Sequence, residues 1–213
     1  MKPIYVRIGG IGMILLVIIT PLYFALWILS WMLLIPMGFF SPFFLIILVV
    51  AIILFVGFLL AGIGFFGYYK AYNTLWGLVG FLLPLLFGWA LFLLEAFYFV
   101  EFNTFIITPV WPFFPFEEMV YWLFKDVFFA LTPILWSIAI LRVAPHTGNT
   151  RRIQLTGGFL LASGLAYVPQ IILDIYGAPL MPYFIVLSTG TILFCLAAIL
   201  NSLAFLTTQS TKG

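Results

Sequence analysis

The sequence predicts an all-α, polytopic integral membrane protein with six transmembrane helices, short loops and both termini in the cytoplasm. Three observations predict it. The 213 residues are 66% apolar and 20% aromatic, and only 7% are charged, against about 25% in soluble domains. Six segments reach the length of about 20 predominantly apolar residues that a spanning helix needs. The few basic residues also sort to one side when six crossings are drawn. A mean hydropathy of +1.30 excludes a cytosolic enzyme, a nucleic-acid binder, a disordered regulator and a disulfide-stapled secreted domain.

The first span covers residues 11–34 and follows Lys2 and Arg7. It resembles a signal peptide but is too long and has no small-residue cleavage site, so it reads as a retained helix. The second span, 42–66, contains Gly57, Ala61, Gly62 and Gly64, with Gly67, Tyr68, Tyr69 and Lys70 just beyond. Gly57 and Ala61 form a small-xxx-small pair that lets helices approach closely, and with Gly64 they make a candidate helix-packing face. The same run fails as a phosphate cradle, because no Gly-Lys-Ser/Thr follows and the helix continues through it. Tyr68, Tyr69 and Lys70 suit an interfacial anchor.

The third span, 75–99, contains Pro84 and Glu95. The segment 101–118, EFNTFIITPVWPFFPFEE, then repeats proline at every third position, the period of a polyproline II turn. Pro109, Trp111, Pro112, Phe113, Phe114 and Pro115 form a candidate docking loop, with an aromatic belt in the headgroup layer as the plainer reading. The fourth span, 118–141, holds Lys125, Asp126 and Pro133. An alternative makes 116–127 an interfacial helix and starts this span at Val127. The fifth span, 153–175, holds Pro169, Gln170 and Asp174. The sixth, 180–206, holds Cys195 and Asn201. With these spans assigned, one membrane domain accounts for the chain.

Lys2, Arg7, Lys70, Arg142, Arg151, Arg152 and Lys212 fall on one side, whereas Glu101, Glu117 and Glu118 fall on the other with Asp174. Positive loops stay cytoplasmic, which fixes the expected orientation in a cell membrane. Thr20-Pro21 and Thr132-Pro133 hint at two inverted three-helix halves. So do Gly57-Phe-Leu-Leu-Ala61 and Gly158-Phe-Leu-Leu-Ala162, but unequal offsets make chance resemblance in a Leu/Phe-rich chain the better explanation.

Glu95, Lys125, Asp126 and Asp174 form the candidate intramembrane polar group. Ionisable side chains within a membrane are costly and face a partner or a water-filled cavity. One reading is an outward-facing acidic vestibule. The other, favoured here, is an ion pair locking helices three and four through Lys125. The single cysteine and single histidine exclude a disulfide, an iron–sulfur cluster and a multi-histidine metal site within the chain. No catalytic residue, metal or cofactor is expected. The sequence therefore points to a non-catalytic membrane subunit or scaffold, partnered by lipid and by other membrane proteins or further copies of itself. It would belong to an energy-transducing or transport complex. A small cation or proton channel or transporter is the alternative.

Overall fold

The computed structural model describes the backbone of residues 3–32, 42–105, 116–146, 150–176 and 180–207. Its side-chain description covers 4–26, 28–29, 45–93, 123–146, 150–173 and 185–203. The elements are α1 (Pro3–Met32), α2 (Pro42–Tyr72), α3 (Leu75–Phe105), α4 (Phe116–Val143), α5 (Thr150–Tyr176) and α6 (Leu180–Thr207), with a 3-10 turn at Ala144–His146. All six helices are long and apolar enough to cross a membrane.

Helix ends extend past the apolar runs that predict them. α1 starts at Pro3 rather than near residue 11, with proline at a helix start where its missing N–H costs nothing. α4 is one continuous helix from Phe116 to Val143. Between α2 and α3 the chain reverses in two residues. Asn73 takes the left-handed conformation (φ 50°) and donates its N–H to the Tyr69 carbonyl at 2.8 Å. Asparagine tolerates that conformation at a helix end. Thr74 then caps α3, its hydroxyl accepting from the Gly77 N–H at 3.2 Å.

Each helix packs on its chain neighbours, and α6 closes the ring against α1. Two close approaches set the spacing. A side chain at Gly12 would run into the α2 backbone, with the Leu60 carbonyl carbon only 2.6 Å from a Cβ placed there. At Gly164 of α5 the Ala130 carbonyl oxygen of α4 would lie at 2.6 Å. Small residues let backbones meet where lipid supplies no hydrophobic driving force between helices.

The outside differs from that of a soluble bundle. Ile4, Ile11, Ile14, Ile18 and Leu22 are exposed along α1, and comparable Leu, Ile and Val stripes run along the other helices. Thr20, Lys125, Asp126, Thr132, Ser137, Ser163, Gln170 and Asn201 are buried. A surface of aliphatic stripes around a partly polar interior suits hydrocarbon as solvent. Arg7, Lys70, Arg142, Arg151, Arg152 and His146 are all exposed, and the alternating helix directions put them at one end, termed here the basic end. Lys70 lies over the Phe66 and Tyr69 rings at 5.4 and 5.7 Å, and His146 stacks on Tyr72.

Candidate functional site

The interior is built around prolines. A proline inside a helix brings no N–H to the carbonyl four residues earlier, and in lipid that carbonyl needs another donor. Pro84 leaves the Gly80 carbonyl in this state, and the Trp136 indole N–H on α4 donates to it at 2.8 Å. Gly80 is what admits the indole: a Cβ there would stand 3.0 Å from Trp136 Cδ1. Pro21 leaves the Val17 carbonyl, and the Cys195 thiol on α6 approaches that oxygen at 3.7 Å.

Aromatic rings fill the space between the helices. Phe65 stacks on Trp136 at 4.8 Å with planes 12° apart. Phe58 of α2 meets Phe128, Phe129, Trp136 and Phe194. Phe129 in turn meets Phe24 of α1 at 5.0 Å and Tyr167 of α5 at 5.8 Å. Five of the six helices thus contribute rings to one continuous cluster. A cavity of about 20 Å³ lies beside it, lined by residues such as Tyr23, Phe58, Leu91 and Phe128. That is room for about one water molecule.

A polar stripe runs along the buried face of α5 at helical spacing: Thr156, Ser163, Tyr167 and Gln170. Ser163 donates to the Gly190 carbonyl at 3.2 Å, and the Tyr167 and Thr191 hydroxyls share a hydrogen bond of 3.1 Å. Across the α4–α5 seam, Ser137 donates to the Gly157 carbonyl at 2.7 Å. These hydroxyls tie helices together through backbone carbonyls, an economical use of polar groups in lipid.

Lys125 and Asp126 are 2% and 1% exposed, both within the apolar stretch of α4 that begins at Leu123. The Asp126 carboxylate is near enough to Tyr167 to act electrostatically on its hydroxyl. The side chains of Glu95 and Asp174, and the whole loop holding Pro109, Trp111, Pro112, Phe113, Phe114 and Pro115, lie outside the described residues. Gly57 sits against Leu16 of α1, where a Cβ would meet Leu16 Cδ2 at 2.9 Å, and Ala61 and Gly64 are buried. Among the described residues no three His, Cys, Asp or Glu side chains gather as metal ligands.

Comparison with protein-family models, with curated proteins and with solved structures finds no match to this chain.

Sequence reasoning did not single out Gly12, Gly80, Trp136, Ser163 or Tyr167. Pro84 carried a usable signal for one of them. A mid-span proline demands a donor from another helix, and an indole N–H inside an apolar run is a donor in need of an acceptor.

Proposed function

We propose that this chain is a non-catalytic integral membrane subunit that packs with other membrane proteins in an energy-transducing or transport assembly. The single observation that carries this reading is the aromatic filling of the interior by Phe24, Phe58, Phe129, Trp136, Tyr167 and Phe194. A pore or substrate site needs space lined by convergent polar groups. Here the space is taken by rings, and the Ser137 and Ser163 hydroxyls are engaged with backbone carbonyls. The exposed flank of α3, with Leu75, Leu82, Leu86, Trp89 and Leu93, offers apolar surface to lipid or to a partner helix. The basic end faces the cytoplasm in this reading, following the bias of arginine and lysine in membrane loops. The test is purification from the native membrane in mild detergent. Stoichiometric companion chains support the reading, and purification as a lone, ion-conducting oligomer contradicts it.

The burial of Asp126 favours a second reading, a small cation or proton channel or transporter with an acidic vestibule facing outward. Ionisable groups buried in membrane helices commonly mark ion pathways. On this reading, Asp126→Asn or Glu95→Gln removes a flux; on the first, either substitution changes stability and no flux.

A further inference from the structure

Arg151, Leu155, Gly158, Ala162 and Leu165 of α5 are exposed, at alternating steps of four and three residues that keep them on one helix face. Gln154, three residues from Arg151 and four from Gly158, is exposed with them. Ile153, Leu160 and Tyr167 take the buried side. Small residues in membrane helices normally line helix contacts, as Gly12 and Gly164 do here. Gly158 does not: a Cβ there meets nothing within 4 Å, and Ala162, one turn on, is exposed too. Between the exposed Leu155 and Leu165 they leave a shallow furrow in the surface. Leu141 of α4, itself exposed, stands beside it, with side-chain atoms 2.7 Å from a Cβ placed at Gly157.

The order of groups along this face is cation, amide, furrow. At about 1.5 Å per residue, Gln154 lies roughly 4.5 Å and Gly158 roughly 10.5 Å along the axis from Arg151. A glycerophospholipid presents its groups in the same order: phosphate, ester carbonyls, hydrocarbon chain. Phosphate matches the guanidinium fork, and an ester oxygen accepts from an amide N–H₂. Charge then selects among lipids. All six acidic residues of the chain belong to the halves of α3, α4 and α5 remote from the basic end. The ammonium group of a zwitterionic headgroup therefore meets no carboxylate there, whereas an anionic headgroup meets Arg151 with Arg152 beside it.

We propose that this face of α5 seats one anionic glycerophospholipid, its phosphate on Arg151 and Arg152 and one acyl chain in the furrow over Gly158 and Ala162. α1 supplies the contrast. Arg7 is exposed at the same end, but Ile11, Ile14 and Ile18 fill the exposed face that follows it. A cation over an unbroken aliphatic stripe attracts the anionic leaflet as a whole. A cation over a furrow holds one lipid.

The test uses the full chain, delipidated in detergent and titrated with dioleoylphosphatidylglycerol or dioleoylphosphatidylcholine under native mass spectrometry. One phosphatidylglycerol should bind ahead of any further lipid, and more tightly than phosphatidylcholine. Arg151→Gln should weaken that first binding about fivefold, the scale of one basic residue at an anionic lipid. Gly158→Leu, which fills the furrow, should weaken it at least as much, and Arg7→Gln should leave it unchanged. Should Gly158→Leu fail to fold, Ala162→Leu fills the same furrow one turn on. Equal affinity for the two lipids overturns the proposal, as does an Arg7→Gln loss matching that of Arg151→Gln, because the attraction is then diffuse. Unaltered binding in both furrow variants also overturns it, because the chain then lies elsewhere. Disulfide-linked dimers of Gly158→Cys, formed in membranes in a Cys195→Ser background, overturn it in favour of a second copy of this chain on the same face.

Discussion

The Trp136 indole N–H donates at 2.8 Å to the carbonyl of Gly80, the oxygen that Pro84 deprives of its helical donor. Sequence separates the two residues by 56 positions, and the bond ties α3, the helix with the smallest buried share, to α4. Trp136→Phe keeps a ring beside Phe65 but leaves a buried carbonyl unmet. It should cost about 1–3 kcal/mol in unfolding measurements in detergent. In a Pro84→Ala background, where residue 84 regains its N–H, the same change should cost distinctly less. Equal costs in both backgrounds would mean that the indole is not compensating for the proline.

Helix spacing gives a second prediction. Gly12→Val drives a side chain into the α2 backbone near Leu60 and Ala61, and overpacking of this kind costs about 1–3 kcal/mol or more. Gly158 is the internal control, because a Cβ there meets nothing within 4 Å. Gly158→Ala should be neutral or slightly stabilising, since alanine is the better helix former. Both are read from thermal unfolding in the same detergent.

Lys125 and Asp126 have opposite charges, and both are buried. If the two compensate one another, removing one charge costs about 3–5 kcal/mol, the scale for a broken buried pair. Lys125→Met and Asp126→Asn should each destabilise on that scale, and Lys125→Met with Asp126→Leu should cost much less than the sum. Strict additivity in this double-mutant cycle would show that the two charges do not compensate one another.

Cys195 gives a milder prediction. Its thiol donates at 3.7 Å to the Val17 carbonyl, the oxygen that Pro21 deprives of its helical donor. Cys195→Ser supplies a stronger donor and should hold stability within about 0.5 kcal/mol, whereas Cys195→Ala should lose about 1 kcal/mol. Unfolding midpoints of the two variants separate these outcomes.

The six helices were legible because hydrocarbon imposes a length and a composition on every crossing. Their ends were less so. Hydropathy reports where lipid begins, whereas a helix stops where backbone bonding stops, so α1 reaches back past Arg7 and Gly10 to Pro3. The candidate site was only partly legible. A charge inside an apolar run is conspicuous, so Lys125 and Asp126 stand out in the sequence. Serine, threonine and tyrosine fit any helix face, so the stripe from Thr156 to Gln170 emerged only once α5 had neighbours. The matching segments beginning at Gly57 and Gly158 occupy unlike places. Gly57 is packed on Leu16 and Ala61 is buried, but Gly158 and Ala162 are exposed.

The most direct measurement is ion flux through vesicles reconstituted with this chain alone. An interior filled by the rings around Phe58 and Trp136 predicts proton, sodium and potassium fluxes equal to those of empty vesicles, with Asp126→Asn indistinguishable from the parent. A selective flux from the purified chain, abolished by Asp126→Asn, would contradict the account.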